Sequence, residues 1–201
     1  MGSPLFQLAQ GVSLVLASGS PRKRQFLTEW GVPFACRPVA GEPDPVEAEP
    51  AAAFVGRCAD FKLAHASRQP HEVVIAADTV VACDDRIMGK PADEDDALAM
   101  LLALAGREHQ VITAVSVGFP DGSCERTCSV CNVHMLKWDR ETLQAYVRTG
   151  ECLDKAGAYA IQGIGAFLID RIDGSWSTVV GLPVSWLAGV LAAKGVLCHR
   201  G

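Results

Sequence analysis

The stretch "SLVLASGSPRKRQFLTEWGVPFAC", residues 13–36, decides the class of fold. Its mostly apolar start predicts a buried strand over 13–17. A helix is predicted from Pro21 to Trp30, because Ser20 is a favourable N-cap and proline is favoured at the first helical position. A short strand is predicted over 34–38. A strand, a helix and a strand in this order indicate a βαβ unit, the building block of α/β proteins.

The rest of the chain keeps alternating between strand-like and helix-like segments. The predicted strands are 72–82, the two arms of a 109–136 hairpin that turns at 120–123, and 166–173. The predicted helices are 51–68, one with an acidic first turn that ends at Gly106, 140–148, and 184–194, whereas 154–165 and 174–183 are predicted loops. Because βαβ connections and a long hairpin occur in one chain, we expect an α/β protein with a mixed sheet.

Composition and charge limit the classes of partner. The chain has 201 residues, of which 49% are hydrophobic and 20% are charged, as is typical of a globular protein with a sizeable core. Its formal net charge of -5 gives no general attraction for polyanions, so neither nucleic acid nor a membrane surface is an expected partner. We find no signal-peptide pattern and no membrane-spanning apolar run, and we expect a cytoplasmic protein.

The eight cysteines raise the alternative of a metal cluster. Cys124, Cys128 and Cys131 have the C-x3-C-x2-C spacing that can hold iron and sulfur. On a regular strand, however, Cys124 and Cys128 lie on one face and Cys131 lies on the other, so three thiolates would not converge. We therefore expect an ordinary hairpin strand and reduced thiols.

The loop "ASGS", residues 17–20, is the first candidate binding site. Backbone N–H groups and the positive end of the helix dipole meet at a helix N-terminus, and Gly19 allows a ligand to approach the backbone. Arg22 and Lys23 lie in the first helical turn, where cations are unfavourable unless an anion offsets them. This pattern favours a bound phosphate over the alternative that both side chains simply extend into solvent.

Asp78, Thr79 and Lys90 are candidates because each follows a strand-like or turn-like segment. Asp78 and Thr79 close the apolar run "VVIAA", where an α/β sheet commonly binds its ligand. A carboxylate there either caps a loop or holds a metal and activates water, and the sequence favours neither. Lys90 stands between a glycine and a proline, in a loop that could direct its ammonium group toward a phosphate.

Glu42, Lys62 and Gln162 are weaker candidates taken singly. Glu42 lies in an acidic, proline-rich loop and Lys62 on the following helix, so both could be ordinary surface residues. Gln162 lies in a glycine-rich loop with Asp154 and Lys155, and its amide can donate and accept a hydrogen bond at once.

Six motifs together resemble the Maf family of nucleoside triphosphate pyrophosphatases in order and spacing. They are "ASGSPRKRQFL", "VVIAADTVV", "GKP", "GREHQVITAVSV", "DKAGAYAIQG" and "GSWSTVVGLP". The resemblance covers residues 13–194, which we take as one nucleotide pyrophosphatase domain. Residues 1–12 and 195–201 are unmatched, and we interpret them as an N-terminal extension and a C-terminal tail.

The resemblance implies a fold like that of inosine triphosphate pyrophosphatases, with a long mixed sheet in two lobes and the nucleotide in a central cleft. The implied reaction is hydrolysis between the α- and β-phosphates, with a divalent metal cation, Mg²⁺ or Mn²⁺, by a homodimer. By similarity, the triphosphate would be held by Ser18, Arg22, Lys23, Lys62 and Lys90. Glu42 and Asp78 would bind the metal, and Asp78 would also act as the base toward the attacking water. Phosphoryl transfer needs such cations and such a carboxylate.

The same resemblance implies a preference for dTTP and UTP. The branch of the family that acts on these nucleotides carries arginine, threonine and glutamine at three motif positions, which Arg22, Thr79 and Gln162 match. The sibling branch acting on 7-methyl-GTP carries tryptophan, glutamine and glutamate there. A glutamine amide can satisfy the carbonyl and the imide N–H of a pyrimidine together, whereas a glutamate would repel the carbonyl oxygens.

The chain departs from the family pattern at three places. Lys23 replaces the usual second arginine, and Trp176 and Thr178 replace tyrosine and asparagine in the last motif. Lysine keeps the charge but loses the bidentate fork of arginine, so weaker phosphate binding is expected.

Two other functions stay open on the sequence. One is a nucleotide-binding regulator of cell division and septum formation, with which the family has been linked, and the other is the removal of modified pyrimidine triphosphates. Because Asp78, Glu42 and the cationic positions are all present, the sequence favours a working enzyme over a sensor.

Overall fold

A computed structural model describes residues 6–84 and 86–199, without the side chain of His199. These residues form two compact units. Unit 1 contains the described residues up to Asp78, together with Ala114–Cys128 and those from Gly181 onward, and unit 2 contains Thr79–Thr113 and Ser129–Val180. Within the described ranges, no helix is both long enough and apolar enough to cross a bilayer.

Nine strands and six helices are described within these ranges. The strands are β1 (Phe6–Leu8), β2 (Ser13–Leu16), β3 (Phe34–Cys36), β4 (Glu72–Cys83), β5 (Arg86–Met88), β6 (Glu108–Gly118), β7 (Cys124–Met135), β8 (Ile169–Asp173) and β9 (Leu197–His199). The helices are α1 (Pro21–Glu29), α2 (Ala51–His65), α3 (Glu94–Leu104), α4 (Arg140–Val147), α5 (Trp176–Val180) and α6 (Val184–Ala193). Two 3-10 segments, Ala156–Ala158 and Gly163–Leu168, lie between α4 and β8.

The main sheet confirms the predicted α/β class with a mixed sheet. Its strand order is β3-β2-β4-β6-β7-β8, and β5 pairs with β4 as the seventh strand. β2 is parallel to both β3 and β4, whereas β5 is antiparallel to β4 and β8 is antiparallel to β7. β4, β6 and β7 each contribute residues to both units.

The core of unit 1 explains why apolar and polar residues do not alternate along β2 and the first half of β4. Val15, Val74 and Ala76 are fully buried and lie in one hydrophobic cluster, with the side chain of Leu63 from α2 packed against it. Parallel strands that are covered on both faces have continuous apolar runs of this kind. The βαβ unit predicted from residues 13–38 is therefore confirmed.

Unit 2 has its own core, to which α3 and α4 contribute Leu101, Leu104 and Leu143. Both helices begin at an aspartate that caps the first turn. The Asp93 carboxylate accepts a hydrogen bond from the Asp96 N–H at 2.8 Å, and Asp139 accepts one from the Thr142 N–H at 2.8 Å. Such caps satisfy backbone donors that have no partner within the helix.

The hairpin of β6 and β7 turns where the sequence predicts. The Asp121 carboxylate accepts a hydrogen bond from the Ser123 N–H at 2.8 Å, and Gly122 has a φ of 85°, which favours glycine. On β7, Cys128 is exposed and Cys131 is buried, as the alternation of a strand requires. All eight cysteines are free thiols.

Two local predictions differ from the structure, and one strand was not predicted. The strand predicted over 166–173 begins only at Ile169, because the residues before it form a 3-10 segment. The predicted loop 174–183 contains α5, and β5 was not predicted. Each of these elements is only three to six residues long. Neither the two-residue period of a strand nor the 3.6-residue period of a helix repeats often enough in such a segment to be recognised.

The segments interpreted as extensions contain a second, two-stranded sheet. β1 and β9 pair antiparallel, with Phe6 opposite His199 and Leu8 opposite Leu197. The ladder continues with a hydrogen bond from the Ala9 N–H to the Val196 carbonyl at 3.0 Å. The first and last described segments are therefore structured parts of unit 1.

Candidate functional site

In the loop between β2 and α1, Ser20 is the N-cap of the helix as predicted, but its side chain does not make a capping hydrogen bond. Ser20 is the N-cap of α1 and Pro21 is the first helical residue, yet no side-chain hydrogen bond caps the helix. The Ser20 N–H instead donates to the Ser18 hydroxyl at 3.3 Å. The Ser20 hydroxyl oxygen is buried and has no hydrogen-bond partner within the described residues. A buried hydroxyl in this state is ready to bond to a ligand.

The cations of the first turn of α1 differ in their exposure. Lys23 is buried, with 7% of its surface exposed, whereas Arg22 is half-buried and Arg24 is exposed. The alternative that both Arg22 and Lys23 simply extend into solvent is therefore wrong for Lys23. Because a buried ammonium group needs compensation by an anion or by hydrogen bonds, Lys23 belongs to the interior of this loop and helix.

Glu42, Lys62 and Asp78 are in direct contact in unit 1. The Lys62 ammonium nitrogen lies 2.8 Å from the Glu42 carboxylate and 2.9 Å from the Asp78 carboxylate. Lys62 projects from α2 and Asp78 from β4, while Glu42 comes from the loop after β3. The Lys62 and Asp78 side chains are only 12% and 15% exposed, so these two are not ordinary surface residues.

Electrostatics at this contact keep Lys62 charged. Burial by itself would lower the pKa of Lys62, but the charge of Asp78 and hydrogen bonds to both carboxylates outweigh burial and raise that pKa. Cys58, one helical turn before Lys62, is fully buried beside the same groups. Burial and then the charges of Asp78 and Glu42 raise the pKa of its thiol to about 12, so Cys58 stays protonated at neutral pH.

The donor set of this group fits a hard divalent cation. Ligand atoms of Glu42, Cys58 and Asp78 all lie within 4.8 Å of one another. Carboxylate oxygens are the ligands that Mg²⁺ and Mn²⁺ prefer, whereas a protonated thiol is a poor ligand for either. The two carboxylates of Glu42 and Asp78 are therefore the usable ligands of the group.

The position of Asp78 in its strand corrects one expectation. Asp78 and Thr79 do not end a strand, because β4 continues to Cys83. They lie in the middle of a twelve-residue strand, where unit 1 ends and unit 2 begins. The strand predicted over 72–82 already runs through both residues, and β4 confirms it.

Thr79 belongs to a chain of hydroxyl groups in unit 2. Its hydroxyl lies 2.9 Å from that of Thr113, which donates to the backbone carbonyl of Thr178 at 2.8 Å. The Thr178 hydroxyl in turn lies 2.8 Å from that of Ser129. Thr178, which replaces the family asparagine, is fully buried and hydrogen-bonded, whereas Trp176 at the other departure is exposed.

Lys90 and Gln162 lie on neighbouring loops of unit 2. Lys90 is exposed after β5, and the Gly89 carbonyl before it accepts a hydrogen bond from the Gly157 N–H at 3.0 Å. Gly157 has a φ of 68°, and a Cβ there would lie 2.8 Å from the Val81 side chain. The two loops are therefore tied together at a glycine that no larger residue can replace without strain.

The loop that carries Gln162 is held by two residues that the sequence analysis missed. The Glu151 carboxylate accepts hydrogen bonds from the N–H groups of Ile164 at 2.9 Å and Gly165 at 2.7 Å. The Tyr146 hydroxyl donates to Glu151 at 3.0 Å and accepts from the Ala160 N–H at 3.2 Å. The half-buried Gln162 side chain makes no hydrogen bond to the described part of the chain.

A second group of metal-ligand types lies elsewhere in unit 2. The His134 Nε2 atom lies 2.7 Å from Glu108 and 3.1 Å from Asp173. The Arg171 guanidinium lies 3.0 Å from the same nitrogen and supplies the positive charge that the two carboxylates need. We interpret this group as a surface charge network.

Comparisons with known proteins identify the family of this chain. A model of the family described as Maf-like protein matches residues 13–194. A dTTP/UTP pyrophosphatase of Nitratidesulfovibrio vulgaris is 50% identical over 186 residues, covering 92% of this chain and 89% of that protein. A dTTP/UTP pyrophosphatase of Oleidesulfovibrio alaskensis is 52% identical over 192 residues, covering 94% and 88%. A solved nucleoside-triphosphatase, titled a dITP/XTP pyrophosphatase, from Mycobacterium abscessus has a TM-score of 0.43 at 14% identity, covering 92% of this chain and 94% of that one. The chain belongs to the Maf family, as its motifs predict.

Proposed function

We propose that this protein hydrolyses nucleoside triphosphates, preferentially dTTP and UTP, to a nucleoside monophosphate and pyrophosphate. The observation that carries the proposal is the half-enclosed contact of Glu42, Lys62 and Asp78. Two carboxylates share one ammonium group that is only 12% exposed, and removing such charges from water destabilises the fold. Phosphoryl transfer is a function that needs these charges. The two relatives of about 50% identity named dTTP/UTP pyrophosphatase support the same activity.

The loop from Ser18 to Lys23 is the proposed cradle for the triphosphate. A phosphate oxygen there would meet N–H groups at the N-terminus of α1 and would accept a hydrogen bond from the Ser20 hydroxyl, which has no partner within the described residues. Arg22 and Lys23 supply positive charge in the same turn. We assign Lys62 and Lys90 to the phosphates as well, on the resemblance of their motifs.

Glu42 and Asp78 are the proposed ligands of a divalent cation, Mg²⁺ or Mn²⁺. When bound, such a cation would neutralise charge that develops on the leaving pyrophosphate. Lys62 contacts both carboxylates and therefore balances their charge when no other cation does so.

Asp78 is the proposed base toward the attacking water. Its carboxylate is only 15% exposed, and the Lys62 contact at 2.9 Å fixes one of its oxygens in place. A base must be held within hydrogen-bond reach of the proton that it removes, and this contact restricts its rotamer. Cys58 is excluded as a nucleophile, because a thiol whose pKa is about 12 is not ionised at neutral pH.

Gln162 is the proposed reader of the base, together with Arg22 and Thr79. The support from the structure is that the Gln162 amide makes no hydrogen bond to the described residues, whereas the Thr79 hydroxyl already contacts Thr113. An amide in this state can pair with the carbonyl and imide N–H of uracil or thymine. The homodimer that the resemblance implies and the cytoplasmic location expected from the sequence stay predictions.

The reaction type is tested by its products. We expect wild-type protein with Mg²⁺ or Mn²⁺ to convert dTTP and UTP to monophosphate and pyrophosphate, and we expect a chelator to abolish turnover. The measurement is ion-exchange chromatography of the products, with orthophosphate and pyrophosphate assayed separately. Diphosphate and orthophosphate as the main products would overturn the proposal, and so would binding without turnover, the result expected of a regulator.

Base preference is tested by Gln162→Glu. The substitution keeps the size of the side chain but replaces the amide donor with an oxygen that repels the base carbonyl. We expect kcat/KM for dTTP and UTP to fall by about 10- to 100-fold, because a mismatched buried hydrogen bond costs a few kcal/mol. Purine triphosphates should be affected far less, since the cations of the cradle are unchanged. An equal loss for every nucleotide would contradict the assignment.

A further inference from the structure

The loop from Ala160 to Gly165 is fastened on both sides of Gln162. Before Gln162, the Ala160 N–H donates to the Tyr146 hydroxyl at 3.2 Å. After it, the N–H groups of Ile164 and Gly165 donate to the Glu151 carboxylate at 2.9 and 2.7 Å. Three backbone N–H groups of this loop are thus held by Tyr146 and Glu151, whose side chains contact each other at 3.0 Å.

The glycines of this loop match the two side chains that hold it. Gly163 has a φ of 77°, and a Cβ there would lie 2.2 Å from the Glu151 carboxylate. A Cβ on Gly165 would lie 2.5 Å from the Tyr146 hydroxyl and 2.6 Å from the Ala160 carbonyl. Glu151 and Tyr146 therefore occupy the space that larger loop residues would need.

Glu151 and Tyr146 are themselves well fixed. Tyr146 is buried on α4, and its ring packs edge-on against Phe167 with 6.1 Å between the ring centres. Burial alone would raise the pKa of the Glu151 carboxyl, but the N–H groups of Gly165 and Ile164 and the Tyr146 hydroxyl hold that pKa below its ordinary value. Glu151 thus remains an acceptor at neutral pH.

We infer that Glu151 and Tyr146 are positioning residues that set base selectivity through Gln162. The inference rests on the proposed function. Because the Gln162 side chain has no hydrogen bond to the described residues, its direction depends on the backbone that carries it, and Glu151 and Tyr146 hold that backbone. When that backbone is already held in one conformation, only the Gln162 side chain and not the loop has to be ordered as the nucleotide binds.

The test compares wild type with Glu151→Gln and Tyr146→Phe. The N–H groups of Ile164 and Gly165 bond to different oxygens of the Glu151 carboxylate, and glutamine replaces one of these oxygens with an NH2 group that cannot accept. Phenylalanine keeps the ring but loses both hydrogen bonds of the hydroxyl. We measure the ratio of kcat/KM for dTTP to that for dGTP. The ratio should fall by about 10-fold in each variant, while kcat for dGTP changes less than about 2-fold. Glu141→Gln, an exposed position on α4, is the matched control.

A double variant separates positioning from a general loss of structure. In a Gln162→Ala background the dTTP preference is already lost, so adding Glu151→Gln should lower the ratio no further. The backbone N–H groups of Ile164 and Gly165 should exchange with solvent faster in Glu151→Gln than in wild type. The thermal unfolding midpoint measured at α4 should not change. An unchanged ratio in both single variants, or equal losses for dTTP and dGTP, would overturn the inference. A wild-type ratio near one would instead overturn the proposed base preference, and this inference with it.

Discussion

Replacing Asp78 by asparagine should lower kcat by about 100-fold or more, because the reaction loses its base and the metal loses a negative ligand. The shape of the side chain is unchanged, and the Lys62 ammonium keeps its contact with Glu42 at 2.8 Å. Circular dichroism and thermal unfolding should therefore match those of wild type. The measurement is the rate of pyrophosphate release from dTTP at saturating Mg²⁺.

Asp170→Asn is the matched control for this substitution. Asp170 is exposed on β8 in unit 2, outside the proposed site, so its amide variant should keep wild-type turnover. If a folded Asp78→Asn protein retains full activity, then Asp78 is neither the base nor an essential ligand, and the proposed mechanism is wrong.

Replacing Lys62 by methionine should have the second largest effect. Methionine has nearly the same length, but it leaves the carboxylates of Glu42 and Asp78 without the ammonium group that both contact. We expect kcat/KM for dTTP to fall by about 100-fold, because a preorganised cation on the phosphates is lost. Mg²⁺ alone should bind more tightly than in wild type, because it no longer competes with the ammonium group for the two carboxylates.

Two measurements check the Lys62 prediction. Calorimetric titration with Mg²⁺ in the absence of nucleotide reports the competition, and steady-state kinetics report the loss of the phosphate contact. Lys137→Met, at an exposed position of unit 2, is the control and should change neither. Weaker Mg²⁺ binding by Lys62→Met would show that the ammonium group supports the metal ligands rather than competing with the metal.

Much of the fold could be predicted from local patterns. β2, α1 and β4 were predicted because their apolar runs, their caps and the proline at the start of α1 are signals contained within a few residues. β1 and β9 could not be predicted in this way, since each is three residues long and exists through pairing with the other end of the chain. Non-local pairing leaves no periodic signal in a short segment.

The same distinction holds for the candidate site. The resemblance assigned Glu42 and Lys62 to one site but did not predict that they are in contact, because nothing in an acidic loop or on a helix indicates which charges will meet. Cys58 had a usable signal, since it lies one helical turn before Lys62 and therefore on the same face of α2. Glu151 had a weaker signal. Glycines at 163 and 165 indicate that another group occupies the space where a larger side chain would lie.

The ladder of β1 and β9 also bears on the order in which this chain folds. Its partners, Phe6 and His199, are separated by almost the whole described sequence, so the closing of that loop is among the most costly in entropy. We expect contacts of such high sequence separation to form after the local βαβ and hairpin contacts have shortened the effective loop. If the ladder joins after the folding transition state, a variant that weakens it should unfold faster while its folding rate stays unchanged.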